Sequence, residues 1–333
     1  MPVDTDPSPS EPTDLPAGWP RHWTIVGVGG VGGLYGGRLA ASGADVRFLA
    51  RSDVDHLRRH GLELRSPWGD AQVRDLAVAG AAAELGPSDV IVLATKTTDN
   101  ARVVAQLGPL VGPSTAVLAL QNGLGIEAPI AEALGVPVLG GLCFVCSAKE
   151  APGVIVHQDY GLVTVGEHAA GGVAAGATAR VAAIVAAFEA AGIPVRPAPS
   201  LAVARWKKLV WNVPYNGLSV VLDAGTDELQ ADPATRALVE ALMREVHAAA
   251  AACGHGFDAT FVDQMLADTD AMTPYAPSMQ LDYRAGRALE LDAIYRAPVE
   301  AAAAAGRPMV RTEALWRQLA FLDRRARGAR GTR

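Results

Sequence analysis

Along the first half of the chain, short apolar runs alternate with longer stretches in which apolar residues recur every three or four positions. The runs at 24–28, 46–50, 90–94, 117–120 and 138–145 read as strands, and the stretches between them as helical. Such alternation is the pattern of a parallel sheet covered on both faces. Two further runs, 154–157 and 162–166, flank Gln158-Asp-Tyr-Gly161 and are expected to form a hairpin at the far edge of the sheet. A helix over 173–191 and a strand over 193–196 would close this unit. Pro197-Ala-Pro-Ser200 reads as a linker, and everything beyond it is helical in pattern. Asp232-Pro233 supplies an N-cap and a proline at the first helical position, and Gly254 a stop, for one long helix. The expected fold class is α/β: a doubly wound parallel sheet over 22–198, then an all-helical domain over 199–325, with a cleft between them.

With 333 residues, half of them hydrophobic, the chain can fill a large core in about two domains. Alanine and glycine abound while aromatics make up only 5%, which fits a close-packed, helix-rich enzyme. A formal charge of −6, with no basic stripe outside the extreme C-terminus, argues against nucleic acid as a partner. No apolar run reaches the ~18–20 residues needed to cross a bilayer, so no membrane partner is expected either. Residues 1–21, rich in Pro, Asp and Ser, lack both parts of a signal peptide and are expected to form a disordered tail. The basic residues 326–333 are expected to fray in solvent. Cys143, Cys146 and Cys253 form an odd, sparse set that fits reduced thiols in the cytoplasm. Cys143 and Cys146 make a C-x-x-C, but on an apolar strand that spacing turns them to opposite faces, and core packing is expected. The seven histidines show neither metal-ligand spacing nor pairing with Asp or Ser, so no metal site is read.

The first strand runs directly into Gly27-Val28-Gly29-Gly30-Val31-Gly32 and then into a helical stretch. Each glycine has a task in a Rossmann-type dinucleotide site. Gly27 permits the tight turn, Gly29 lets the backbone approach a pyrophosphate, and Gly32 lets helix and strand pack closely. The helix N-terminus then meets the diphosphate with free N–H groups and a positive dipole end. The tip of the second strand distinguishes the cofactors, because NAD enzymes place an acid there for the ribose 2′-hydroxyl. Here the tip reads Ala50-Arg51-Ser52, and Arg51 can grip a 2′-phosphate bidentately. Asp45 and Asp53 are poorly placed for the ribose, so NADPH/NADP+ is the expected cofactor.

Past the linker, Lys208, Asn212, Asn216 and Ser219 fall within roughly 80° of one another on a helical wheel, while the other sides carry Leu, Val, Trp and Pro. A narrow polar stripe on an apolar helix cannot face a dry core without many unsatisfied groups, so it should line a wet cleft. Lys207 lies off the stripe and is expected in solvent. Pro214, lacking an N–H, should bend the helix beside the site. The alternative for the stripe is a structural polar network between domains.

In order, from residue 22 to about 322, these features resemble the ketopantoate reductase family. They comprise the glycine motif, Lys96 ending a later strand, Asn122-Gly123 after the next, Lys208-x-x-x-Asn212-x-x-x-Asn216 on a helix, and Ser278-Met279 followed by Glu290. The resemblance implies NADPH-dependent reduction of a small 2-oxo acid to a 2-hydroxy acid. Ketopantoate is the leading substrate, with another branched 2-oxo acid or ketone behind it. It further implies Lys208 as proton donor to the carbonyl oxygen, and Asn122 near the nicotinamide and the reacting carbonyl. Asn212 and Asn216 would bond the substrate, Ser278 its carboxylate, Lys96 the cofactor, and Glu290 both substrate and catalytic lysine. Hydride addition builds negative charge on oxygen, so a cation or proton donor must stand within reach, and burial can tune a lysine towards neutrality. Taken alone, Asn122-Gly123 reads equally as a turn, Ser278 as a helix cap, Glu290 as a surface acid and Lys96 as a strand-end charge.

Departures from the family pattern fall at Thr226, Tyr275, Tyr295 and Arg296, which leaves the reaction type better supported than the substrate and points to an altered pocket rim. The rival readings are a 3-hydroxyacid dehydrogenase, which shares Lys-x-x-x-Asn but usually has a Ser/Thr-rich segment in place of Leu120-Gln-Asn-Gly-Leu124, and a non-catalytic NADP-binding sensor, which would have no use for Lys208 with its asparagines. The helical domain leaves room for a homodimer, although no single residue demands one.

Overall fold

The computed structural model describes residues 15–169, 176–274 and 276–328. β1 (His22–Val26) leads through the glycine loop into α1 (Gly30–Ala41), followed by β2 (Asp45–Leu49), α2 (Val54–His60), β3 (Leu62–Arg65), β4 (Ala71–Val73) and β5 (Ala77–Ala79). Next come β6 (Val90–Leu93), α3 (Asn100–Val104), β7 (Ala116–Ala119), α4 (Glu127–Leu134), β8 (Val138–Ala151) and β9 (Val154–Glu167). α5 (Ala179–Ala190) and β10 (Val195–Pro197) follow. The remainder is helical: α6 (Leu201–Val221), α7 (Thr226–Ala231), α8 (Pro233–Ala252), α9 (Thr260–Asp270) and α10 (Ser278–Arg284). A π-helical turn at Asp292–Arg296 then leads into α11 (Ala297–Ala304) and α12 (Val310–Gly328).

The strands form one sheet in the order β4-β3-β9-β8-β7-β6-β1-β2-β5, with β10 pairing to β9. β6 and β7 are buried at every position and β1 at all but its first, because helices cover both faces of the parallel centre. From β1 the chain moves outwards to β2 and β5, then returns to β6 on the other side of β1. That reversal opens a crevice beyond the C-terminal ends of β1 and β6, where doubly wound sheets bind ligands.

The expected edge hairpin at 154–166 is not formed. Residues Val154–Glu167 are one continuous strand, paired antiparallel with β8 along its whole length and flanked by β3 and β10, so it lies inside the sheet. Gln158-Asp-Tyr-Gly161 is a pair of bulges, where the register slips opposite Phe144/Val145 and again opposite Cys146/Ser147. Tyr160 and Gly161 both take positive φ, at 59° and 119°. The residue types that favour a turn also serve a bulge, and pairing on both sides of the strand favours the bulge here. The terminal expectations need correction as well. Residues 1–14 lie outside the described residues, but Trp19 is packed in the core and donates its indole N–H to the Ser114 carbonyl at 3.0 Å. Helix α12 continues to Gly328, with Arg327 paired to Asp323, so 326–328 are not frayed, and 329–333 lie outside the described residues.

α6 is the axis of the helical part. Ser200 caps it by accepting from the Val203 N–H, and nearly every side of the helix is buried against α8, α10 and α12. An apolar helix surrounded in this way is a core element, which leaves its polar residues to be explained by a site. Asp232 caps α8 through the N–H groups of Ala234 and Thr235, as its sequence predicts.

Gly161 tests the bulge. A Cβ there would fall 2.0 Å from the Trp68 ring, and its φ disfavours any side chain. Gly161→Ala is expected to lose roughly 2–4 kcal/mol in urea unfolding, and a loss below about 1 kcal/mol would contradict this account.

Candidate active site

The crevice is the mouth of a cavity of about 1030 Å³ that runs from the glycine loop, past the ends of β6 and β7, to α6, α9 and α10. Gly27, Val28, Gly29, Gly30 and Val31 border it, and Gly32 lies behind them. A Cβ on Gly32 would sit 2.0 Å from the Gly27 carbonyl oxygen, so α1 reaches β1 only with glycine there. A Cβ on Gly29 would meet no protein atom within 4 Å, which leaves its backbone open to a close ligand. The first turn of α1 carries no acid and its N-cap no side-chain bond, so the positive end of the helix remains available to a diphosphate.

Arg51 and Ser52 border the same arm of the cavity. Asp99, in the turn after β6, approaches Arg51 at 3.8 Å and Arg102 at 3.2 Å. An acid therefore stands beside Arg51, supplied by the turn after β6 and not by the tip of β2.

At the other end, Lys208 is buried. Its ammonium donates to the Cys143 carbonyl at 2.7 Å and stands 3.6 Å from the centre of the Phe144 ring. Burial pulls its pKa down to about 8, with the Cys143 and Cys146 thiols acting in the opposite direction. Asn212, one turn further on, also borders the cavity, and its buried amide nitrogen donates to nothing among the described residues. A donor left unpaired on a residue that borders a cavity calls for an oxygen acceptor. The Asn216 side-chain oxygen accepts from the Met279 N–H at 3.3 Å and so ties α6 to α10, whose first residue, Ser278, borders the cavity without capping its helix. Ser219 departs from the expected stripe. It is fully buried, bonds back to the Asn216 carbonyl and does not reach the cavity. Lys207 places its ammonium over the Phe257 and Phe261 rings instead of extending into solvent.

Asn122 borders the cavity opposite α6. Its neighbour Gln121 donates to the Thr95 carbonyl at 2.6 Å and to Asn100 at 2.7 Å, and Gly123 lies so close to Ala293 that a Cβ would fall 2.5 Å away. Cys143 packs against the core and Cys146 is buried, but both also border the cavity, and burial pushes their thiols up to about 12 and about 11. Among the described residues no three His, Cys, Asp or Glu side chains gather as a metal site, and no helix is long and apolar enough to cross a membrane.

Residues 23–170 match the family described as ketopantoate reductase PanE/ApbA, and residues 200–323 match its C-terminal region. A 2-dehydropantoate 2-reductase from Nostoc sp. is 45% identical over 92% of this chain and 97% of its own length. The crystal structure of 2-dehydropantoate 2-reductase from Geobacter metallireducens superposes with a TM-score of 0.85 at 38% identity, covering 90% of this chain and 98% of that one. Its counterpart from Methylococcus capsulatus gives 0.83 at 33% identity, over 92% and 97%. The chain belongs to the ketopantoate reductase family.

Against the roles that family resemblance implied, Glu290 stands apart. Its carboxylate binds Lys96 at 3.3 Å and the Thr97 N–H and hydroxyl at 2.9 Å, not Lys208. Lys96 also meets Asp282 at 2.7 Å, and although burial would lower its pKa, the two carboxylates hold it above the ordinary lysine value. Asp282 and Arg287, joined at 2.8 Å, border the cavity and were missed in the sequence. The signal was present for Asp282, which follows Ser278 by one helical turn.

The departures from the ketopantoate reductase pattern do not reshape the rim as expected. Thr226 is buried at the start of α7, Tyr295 is buried with its hydroxyl donating to the Val213 carbonyl, and Arg296 is exposed and paired with Asp292. None of the three borders the cavity, and Tyr275 lies outside the described residues.

Arg51→Ala is expected to raise the Kd for NADPH roughly tenfold or more while changing that for NADH by less than about threefold, measured by cofactor fluorescence. Equal losses for both cofactors would remove Arg51 from the phosphate site.

Proposed function

We propose that this chain reduces 2-dehydropantoate to pantoate with NADPH, in the cavity between the sheet and α6. The observation that carries the proposal is a buried lysine with no carboxylate partner among the described residues, one helical turn from an asparagine whose amide nitrogen has none either. NADPH, when bound, supplies a hydride from its nicotinamide ring. The glycine loop and the N-terminus of α1 would hold its diphosphate, Arg51 its 2′-phosphate, and Lys96 would contact it from the end of β6.

The chain's own residues then manage charge and position. The substrate carbonyl gains a hydride at carbon and negative charge at oxygen, and Lys208 stabilises that oxygen and gives it a proton, so that a secondary alcohol and NADP+ result. In a water-poor pocket such a donor is worth more than in bulk solvent, and its pKa near 8 keeps it mostly protonated yet ready to release. Asn122 would orient the carbonyl from the sheet side, Asn212 and Asn216 would bond the substrate from α6, and Ser278 would take its carboxylate. For Glu290 we propose an indirect role, holding Lys96 in place, in accord with its contacts. A broader range of 2-oxo acids is the second reading, favoured by the apolar wall that Phe144, Trp211, Met265 and Met272 form in the same cavity.

Oxidation of NADPH on addition of 2-dehydropantoate, compared with a panel of branched and aryl 2-oxo acids, is the direct test, and silence across the panel would end the proposal. Lys208→Ala is expected to lower kcat by about 10²–10⁴ with NADPH binding retained; near-normal turnover would refute its role. The proton donor works only as the ammonium, so kcat/KM for reduction should be flat below pH 8 and fall about tenfold per pH unit above it. A profile level to pH 10 would contradict that assignment.

A further inference from the structure

Arg205 lies on α6 one turn before Lys208 and is only 3% exposed, with Glu127, at the start of α4, at 5%. The Arg205 Nε donates to Glu127 Oε1 at 2.8 Å, its Nη2 donates to the same oxygen, and its Nη1 donates to the Gln121 carbonyl. The pair is seated directly on β8. A Cβ on Gly140 would fall 2.7 Å from Glu127 Oε1 and 2.9 Å from Arg205 Nη2, so the strand makes room for it with glycine.

One guanidinium thus gathers three segments, and each carries a site group within three residues: Gln121 precedes Asn122, Gly140 precedes Cys143, and Arg205 precedes Lys208. The Cys143 carbonyl is the acceptor of the Lys208 ammonium. None of these links is local in sequence, and two of them cross from the sheet to α6.

We propose that Arg205 is a positioning residue which, locked by Glu127, sets where Lys208 and Asn122 stand relative to each other across the cavity. The proposal rests on the reading above, in which those two side chains handle the carbonyl. Hydride transfer tolerates little error in such placement, since a displacement of about 1 Å costs on the order of 10²-fold in rate.

A buried ion pair can also serve stability alone, and the two roles separate experimentally. Replacing both partners with apolar residues of similar size is often neutral for stability, whereas removing one leaves a buried charge without a partner. The informative variant is therefore Arg205→Met with Glu127→Leu, which keeps the packing and loses the tie to Gln121. Expected are a Tm within a few degrees of wild type, an NADPH Kd within about twofold, and a kcat for 2-dehydropantoate lower by about 10–100-fold. The alkaline limb of the pH profile should also move, because a Lys208 displaced from its place against the Cys143 carbonyl no longer has the same surroundings.

A folded double variant with kcat within about threefold of wild type and an unmoved profile would overturn the proposal while leaving the assigned reaction intact; a wild-type enzyme silent on every oxo acid would sink the reaction itself. A crystal structure of the double variant answers without turnover: displacement of Asn122 relative to Lys208 is expected, and an unchanged arrangement overturns the idea. Should the double variant not fold, Arg205→Lys keeps the charge opposite Glu127 but cannot span to Gln121. It should show the same kcat loss and pH shift, and normal values for both would be equally decisive against the proposal.

Discussion

Keeping an ammonium group charged inside a protein without a counter-ion costs several kcal/mol, and the cleft is arranged around one such group. The Lys208 ammonium is held by a backbone carbonyl and an aromatic ring, both softer partners than a carboxylate. Carboxylates are present nearby in the fold, yet Glu290 and Asp282 engage Lys96, Asp282 also engages Arg287, and Glu127 engages Arg205. Lys208 therefore lies nearer neutrality than an ion-paired lysine would. This division of partners matters more to the proposed chemistry than the presence of a lysine as such.

The same division joins the two halves of the molecule. Lys96 belongs to the end of β6, while both its carboxylates come from beyond α6; Arg205 belongs to α6, while both its acceptors come from the sheet half. Cations thus cross the cleft in both directions, one pair near the ends of the central strands and one at the base of α6. The cavity lies between these two sets of cross-links. The closeness of Gly123 to Ala293 and the tie from Asn216 to Met279 act in the same sense.

The features legible in the sequence were those written in local periodicity. The central strands are continuous apolar runs, the glycine loop follows β1 at once, and three polar residues on α6 keep to one face, so each could be placed without knowing what packs against it. The features that were hidden depend on partners far away. The double bulge in β9 looked like a turn because Asp and Gly suit both, and only pairing with β3, β8 and β10 decides between them. Glu290 was expected beside Lys208, yet it meets Lys96, 194 positions earlier, a pairing that no local pattern announces. Arg205 carried no local signal of its own, since its partner Glu127 lies seventy-eight positions earlier. Tyr295 departs from the family pattern without touching the pocket, since its ring is packed in the helical core.

A lysine that releases its proton near pH 8 also has a bearing on the opposite chemistry. In the proposed reaction run backwards, dehydrogenation of the hydroxy acid by NADP+ would require the same nitrogen as a free amine, able to accept the alcohol proton. At neutral pH most molecules carry it in the acid form, so protonation of one side chain biases the catalyst towards making the alcohol, and only in mildly alkaline solution would the oxidative half-reaction find its base ready.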